Sequence, residues 1–178
     1  MLILELRMLD DEMLCDEVKN LCGILQGKTL DVGCGSGDIE RCLLERGIIK
    51  GELVGIDLWD FSLRYVEQKL FRYGVTVKCL KMSAETLDFP DEIFDNYLSI
   101  RMFHEIDNPV RALKESYRIL KQNGICLIID WKKGADTGVP ERYYSLDELI
   151  FLIKSTTNFK IANTMVKDDY IFAKCIKV

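Results

Sequence analysis

One stretch decides how this chain folds: Lys28-Thr29-Leu30-Asp31-Val32-Gly33-Cys34-Gly35-Ser36-Gly37-Asp38-Ile39-Glu40. It predicts a short buried strand, a turn with glycine at every second position, and the first turn of a helix. Glycine lets the backbone take positive φ and lets a ligand approach the main chain closely. The helix then offers N–H groups that have no partner within the helix. A unit of this kind is typical of proteins that bind a nucleotide-like cofactor.

The charges around the turn narrow the choice of cofactor. Asp31 precedes the first glycine by two residues, and Asp38 and Glu40 follow the last one. Asp38 also stands where the dinucleotide fingerprint Gly-x-Gly-x-x-Gly has its third glycine, and no Gly-Lys-Ser/Thr of a P-loop follows. Carboxylates at these places would repel a pyrophosphate. S-adenosylmethionine (SAM) has an ammonium, a sulfonium and a ribose diol but no phosphate, so the turn favours SAM. An NAD-linked oxidoreductase is the disfavoured alternative.

The stretch 30–37, Leu-Asp-Val-Gly-Cys-Gly-Ser-Gly, resembles motif I of the class I SAM-dependent methyltransferases. Within this class the chain is similar to the small type-11 group, which includes the ubiquinone/menaquinone C-methyltransferases, over nearly all of its 178 residues. The resemblance implies an α/β fold with a Rossmann-like, seven-stranded, mostly parallel sheet, an antiparallel last strand and helices on both faces. We expect a single domain over residues 1–178, of which residues 1–27 form an N-terminal helical segment.

This N-terminal segment carries an apolar stripe over residues 10–26, which predicts an amphipathic helix that ends near Gly27. The helix either covers the active site, as in the resembled family, or only closes one edge of the fold. Cys15 and Cys22 lie two helical turns apart, and for these thiols we favour burial over a soft-metal site. We expect no metal centre.

Composition excludes several classes of protein. The net charge is −5, and no Lys/Arg cluster is longer than Lys132-Lys133, which makes nucleic acid an unlikely partner. Seven cysteines without a Cys-x-x-Cys pair indicate reduced thiols. We find neither a signal peptide nor a membrane span. A cytoplasmic protein that does not associate with membranes is therefore expected.

Two further segments predict cofactor contacts. The apolar run 51–57 predicts a buried strand that ends in Asp57, placed to accept both ribose hydroxyls, while Asp60 and Ser62 already serve to cap the next helix. The segment 82–87 resembles the family's adenine-contacting motif, with Ser83 at a place where aspartate is common; the alternative is a plain surface loop. The cofactor-binding candidates are Asp31, Gly33, Cys34, Gly35, Gly37, Asp57, Leu58, Ser83, Ala84, Glu85, Ser99, Ile100 and Arg101.

The residues that would contact the methyl acceptor are expected at the end of the fourth predicted strand, residues 94–101, and beyond it. In open α/β sheets a ligand binds where the strand order reverses, and the resemblance places strands one and four there. His104, the single histidine, is the catalytic candidate as a general base; a purely structural hydrogen bond is the alternative. Substrate candidates are His104, Asp130, Trp131, Lys132, Glu141, Arg142 and Tyr143.

The remaining elements have clear end signals. Asn108-Pro109 predicts a helix start, Asn123-Gly124 its end, and residues 124–130 a fifth strand. Ser145 and Glu148 form a capping box, and residues 159–178 alternate as a hairpin. We therefore predict a SAM-dependent methyltransferase that acts on an unidentified small molecule, as a monomer or a homodimer. The rival hypothesis is a SAM-binding regulatory module without catalysis.

Overall fold

The computed structural model describes residues 2–59 and 63–178, with side chains from residue 10 onward. In chain order the elements are α1 (Leu2–Cys22), β1 (Leu25–Val32), α2 (Asp38–Glu45), β2 (Ile49–Asp57), α3 (Leu63–Phe71), β3 (Thr76–Lys81), β4 (Phe94–Ile100), a short 3-10 helix (Phe103–Glu105), α4 (Pro109–Ile119), β5 (Leu120–Trp131), α5 (Leu146–Thr156), β6 (Lys160–Lys167) and β7 (Tyr170–Ile176).

The seven strands form one sheet in the order β3-β2-β1-β4-β5-β7-β6. Strands β1 to β5 pair in parallel, and β7 runs antiparallel to both β5 and β6. The predicted Rossmann-like sheet with an antiparallel last strand is confirmed. The strand order reverses between β1 and β4, because the chain leaves β1 toward β2 on one side and returns to β4 on the other.

Helices cover both faces of the sheet, as predicted. Alternate residues of a strand face opposite sides, so neighbouring residues of β4 enter different cores: Tyr97 packs with α4 and α5, and Leu98 packs with α1, α2 and α3. The first core includes Leu113 and Leu149, and the second includes Leu14 and Leu43. No helix connects β3 to β4; residues 82–93 form a loop instead.

The prediction of a helix over residues 10–26 places the end of this helix too far along the chain. α1 ends at Cys22, where Gly23 takes a φ of 70° and donates its N–H to the Lys19 carbonyl oxygen over 2.8 Å. Gly27 lies in β1 instead and faces Gly51 of β2, where an added Cβ would stand 2.2 Å from the Gly27 oxygen. This glycine pair therefore serves close strand contact and not a helix end.

The predicted end of α4 at Asn123-Gly124 is also wrong. α4 ends at Ile119, because Leu120 is extended and pairs with Phe94 in the sheet. Asn123 lies within β5 at a φ of 64°. Pairing with β4 thus outweighs the local end signal.

The other end signals hold. The Asn108 side chain accepts from the Arg111 N–H, and Ser145 and Glu148 form the predicted capping box. The predicted caps Asp60 and Ser62 lie outside the described residues. Among the helices that the structure describes, none has the length and apolar character needed to span a membrane.

Candidate active site

The site lies where β1 ends, between β2 and β4. The turn 33–37 follows β1 directly, and Gly33 and Cys34 both donate their N–H groups to the Ile56 oxygen of β2, over 2.8 and 3.1 Å. Gly33 takes a φ of 79°, and an added Cβ would stand 2.3 Å from Met102 Cγ. Only glycine fits here, because both the backbone angle and the contact with Met102 exclude a side chain.

Two cavities lie on either side of this turn, and Gly33 lines both. The first, which we call the Asp57 cavity, has a volume of about 360 Å³; the second, the Asp31 cavity, has about 720 Å³. The Asp57 cavity is lined by the ends of β1 and β2 and by residues 82–85 and 105–107. The Asp31 cavity is lined by the turn, the first residues of α2, Asp10 and Asp11 of α1, and the end of β4. A single elongated ligand could reach both cavities past Gly33.

Asp57 is held as a hydrogen-bond acceptor at the mouth of the first cavity. Its Oδ2 accepts from the Gly35 N–H and its Oδ1 from the Trp59 N–H, each over 2.9 Å. A carboxylate has about four lone-pair positions. The described residues thus fill two of these positions and leave two for the hydroxyl groups of a diol.

Asp31 differs from Asp57 in being enclosed. It is 4% exposed, and its Oδ1 has no hydrogen-bond partner among the described residues. Glu40, on the first turn of α2, is 2% exposed, and its Oε1 is likewise unpaired within the described part of the chain. Burial raises the pKa of Asp31 to about 6, and burial together with the nearby Asp31 raises the pKa of Glu40 well above its usual range.

The loop that follows β3 closes the Asp57 cavity on its far side. Ser83, Ala84 and Glu85 all line it. The Ser83 hydroxyl accepts from the Glu85 N–H over 3.2 Å, and the Glu85 carboxylate accepts from the Asn108 N–H over 2.9 Å. The loop is thereby tied to the start of α4.

His104 is clamped between carboxylates and lines neither cavity. Its Nδ1 donates to Asp130 Oδ1 over 2.7 Å, its backbone N–H donates to Asp130 Oδ2 over 2.7 Å, and its Nε2 lies 3.0 Å from Glu141 Oε2. Burial alone would lower the pKa of His104, but the hydrogen bond and charge of Asp130, then the charges of Glu141 and Glu105, raise it overall. This arrangement favours the imidazolium, which cannot accept a proton.

The structure gathers most of the cofactor candidates around the two cavities. The Asp57 cavity includes Asp57, Leu58, Ser83, Ala84 and Glu85, the Asp31 cavity includes Asp31, Cys34, Gly35, Ile100 and Arg101, and Gly33 belongs to both. Gly37 caps α2 with a φ of 74°, and Ser99 is fully buried, so neither lines a cavity.

Fewer of the acceptor candidates reach a cavity. Trp131 lines the Asp31 cavity, and Asp130 and Glu141 hold His104. Lys132 contacts Asp168 and Asp169, Arg142 donates to the Ile106 oxygen, and Tyr143 pairs with Thr137. These three side chains stabilise the loop 132–144 and do not line either cavity.

Several lining residues were not predicted as site residues. They include Asp10, Asp11, Glu40, Trp59, Met102, Asp136 and Thr137. Asp11 pairs with Arg101 across the Asp31 cavity, which ties α1 to the end of β4. For Glu40 a signal was present, because an acidic residue follows the glycine turn within the apolar face of α2. For Asp10 and Asp11 only the position of α1 in the fold reveals the role.

Comparison with known proteins agrees with this geometry. Residues 30–128, more than half of the chain, match the Methyltransf_11 family, described as a methyltransferase domain. The chain belongs to this family. The predicted kinship with the class I SAM-dependent methyltransferases is thereby confirmed.

Individual relatives show the same kinship. The ubiquinone/menaquinone biosynthesis C-methyltransferase UbiE of Bordetella avium is 31% identical over 132 residues, 74% of this chain and 52% of that protein. The demethylmenaquinone methyltransferase of Geobacillus kaustophilus is 30% identical over 132 residues, 72% of this chain and 56% of that protein. A crystal structure of a SAM dependent methyltransferase from Aquifex aeolicus has a TM-score of 0.77 at 26% identity, covering 95% of this chain and 90% of that one. The chain spans about half the length of the curated relatives it matches.

Proposed function

We propose that the chain binds SAM across the two cavities and transfers its methyl group to a small-molecule acceptor. The observation that carries this proposal is the placement of Asp57 and Asp31 on opposite sides of one glycine turn. One carboxylate suits a diol and the other suits a cation, at opposite ends of a ligand that carries both. A dinucleotide would bring its negative pyrophosphate against the same acidic groups.

The side chains present fit SAM group by group. Asp57 has two acceptor positions that no described residue fills and that would accept from the ribose hydroxyls, and residues 83–85 line the same cavity, where they would enclose the adenine. Asp31 has an oxygen with no partner among the described residues, and this oxygen would accept from the methionine ammonium. Arg101 lines the same cavity; its guanidinium has five N–H donors, so it would face the methionine carboxylate while it stays paired with Asp11. SAM supplies a methyl group that its sulfonium makes electrophilic.

The contribution of the protein is then mainly alignment and exclusion of water. Trp131, Asp10 and Asp11 enclose the Asp31 cavity from β5 and α1, and Thr137 reaches it from the loop 132–144. In this proposal His104 anchors that loop through Asp130 and Glu141 and is not a general base, which departs from the role predicted above. An acceptor that loses no proton before methylation needs no base.

Isothermal calorimetry tests the cofactor assignment. Wild-type protein binds SAM, and Asp57→Ala weakens the binding by about 100-fold, since two charge-assisted hydrogen bonds are lost. Asp91→Ala serves as the matched control, because Asp91 is an exposed aspartate that pairs with Arg118 and lines neither cavity. Binding of NAD in place of SAM, or undiminished binding by Asp57→Ala, would contradict the proposal.

Turnover distinguishes an enzyme from a binding module. Incubation with methyl-labelled SAM and a small-molecule extract gives a labelled product if the chain is catalytic. SAM binding with no transfer to any acceptor would instead favour the regulatory module. The relatives named for ubiquinone and menaquinone synthesis make quinone precursors the first acceptors to test.

The cellular setting forms part of the same proposal. All seven cysteines are free thiols in the structure, which fits a cytoplasmic protein. Tyr65 and Phe71 of α3 expose apolar surface that would suit a homodimer. Light scattering on the purified chain measures the oligomeric state directly.

A further inference from the structure

We propose that Glu40 shares one proton with Asp31 in the cofactor-free protein, and that the ammonium group of SAM displaces this proton on binding. The inference rests on the proposed function and deepens it: Glu40 becomes a second receptor for the cofactor's cation, and cofactor binding becomes linked to proton release.

The first support is the position of the two carboxyl groups. Asp31 lies near the end of β1 and Glu40 on the first turn of α2, and the glycine turn folds the two elements together. Both residues line the Asp31 cavity, although they are only 4% and 2% exposed. Each keeps one oxygen without a hydrogen-bond partner among the described residues, Asp31 Oδ1 and Glu40 Oε1. Unpaired buried oxygens of this kind are rare in folded proteins and point to a missing partner.

The second support is that no described cationic side chain at this cavity is free to pair with them. The cationic side chains described at this cavity already have carboxylate partners: Arg41 pairs with Glu45, and Arg101 pairs with Asp11. Lys69, beside the turn, pairs with Asp38. Because the described cations are paired, we infer that the positive charge that balances Asp31 and Glu40 enters with a ligand.

The groups that face the pair make ionisation harder. The elements packed against it contribute Asp57 from β2, Cys79 from β3, Cys34 from the turn and Tyr97 from β4. Each of these groups is neutral or negative, so none can stabilise a second negative charge. Two carboxylates in direct contact away from water do not both ionise. One protonated carboxyl that donates to the other carboxylate satisfies both orphan oxygens.

An ammonium group can replace that proton. It carries three N–H donors and one positive charge, so it can donate to both carboxylates at once. When it binds, the shared proton leaves to solvent and the pair becomes fully ionised. Affinity for SAM should then fall about tenfold for each pH unit below the apparent pKa of the pair.

Calorimetry in buffers of different ionisation enthalpy measures this proton directly. At neutral pH the wild type releases about one proton for each SAM bound, because the pair ionises completely. S-adenosylhomocysteine has the same ammonium without the sulfonium and releases the same proton. 5′-Methylthioadenosine has no amino-acid moiety, so it binds without release.

Two variants complete the experiment. Glu40→Gln binds SAM with no proton release, since the amide donates to Asp31 in place of the shared proton. Asp91→Asn is the control: Asp91 pairs with Arg118 and lines neither cavity, so proton release in this variant stays at the wild-type value. SAM binding without release by the wild type, or unchanged release by Glu40→Gln, overturns this inference alone. If the wild type does not bind SAM at all, both this inference and the proposed function fail.

Discussion

Two buried clusters of titratable groups lie near the ends of β1 and β5, and they are built in opposite ways. In the cluster of His104 and Asp130 an acid meets a base, and both carboxylate oxygens of Asp130 accept hydrogen bonds. In the pair of Asp31 and Glu40 an acid meets an acid, and each keeps an oxygen that no described residue pairs with. The first cluster carries its own cation and stabilises the fold. The second requires a cation from outside, which is what a ligand site needs.

The largest loss of stability is expected from a change in the cluster of His104 and Asp130. Asp130→Asn should lower the free energy of unfolding by about 3–5 kcal/mol, because it removes the buried carboxylate to which both the ring and the backbone N–H of His104 donate. Urea denaturation measures the change. Asp169→Asn is the control: Asp169 forms an exposed ion pair with Lys132, and its loss should cost under about 1 kcal/mol. Equal losses in both variants would contradict the special role of the buried pair.

The second-largest effect is expected at Gly33, the glycine that lines both cavities. Gly33→Ala should destabilise the protein by about 2–4 kcal/mol, because the new Cβ needs an unfavourable left-handed backbone and collides with Met102. Gly47→Ala provides the comparison, since its φ is 62° but an added Cβ meets nothing within 4 Å. Thermal unfolding of the two variants separates collision from backbone strain. If Gly33→Ala were as stable as Gly47→Ala, a collision with Met102 could not contribute to the cost of the substitution.

The pair of Asp31 and Glu40 should make the stability of the protein depend on pH. Folding raises the pKa of Asp31 from 3.8 to about 6, and it raises that of Glu40 as well. The folded state therefore binds more protons than the unfolded state, so the contribution of the pair is fully present below pH 4 and is lost as pH rises through 6 and above. Compared with the wild type, Glu40→Gln should gain about 2 kcal/mol of stability between pH 4 and pH 8.

Urea unfolding of both proteins across this pH range tests the difference. The pKa of His104 is raised too, so its contribution is also lost at higher pH, but it is common to both proteins and cancels. Parallel curves for wild type and Glu40→Gln would show that the carboxyl pair holds no extra proton.

The smallest effect on stability should come from Glu141, the partly exposed partner of His104. Glu141 is partly exposed, so Glu141→Gln should cost under about 1 kcal/mol of stability. Because the chain has a single histidine, one imidazole signal in an NMR titration reports the pKa of His104. We expect Glu141→Gln to lower this pKa less than Asp130→Asn does. If Glu141→Gln lowered the pKa of His104 more than Asp130→Asn does, then the main partner of His104 would be Glu141 in the loop 132–144 and not Asp130 in β5.

The contrast also explains what the sequence could predict. The cofactor side depends on short-range order, a glycine turn between a strand and a helix, so spacing and the family resemblance together could predict that Asp31, Gly33 and Asp57 lie around one cleft. The mostly parallel sheet with its antiparallel last strand followed from the family resemblance, and the capping box followed from Ser145 and Glu148 themselves. Strand pairing decides where α4 ends, and this long-range term overrides the Asn123-Gly124 signal.

The acceptor side could not be predicted in the same way. Asp10 and Asp11 reach the Asp31 cavity only because α1 packs beside α2, and no local pattern in residues 10–26 reports that contact. Lys132 and Arg142 follow β5 as predicted, but their long side chains find partners in the hairpin and beside α4 instead of the cavity. Side-chain direction at a loop depends on which partner is nearest in space, and spacing along the chain does not contain that information.

The central claim is that Asp31 and Glu40 together receive the cation of SAM. Its most direct test is an infrared difference spectrum of the wild type with and without SAM, with Glu40→Gln as reference. We predict that the cofactor-free wild type shows the carbonyl stretch of a buried protonated carboxyl group, that this band disappears when SAM binds, and that Glu40→Gln lacks it throughout. A band that survives SAM binding, or that is still present in Glu40→Gln, would contradict the account.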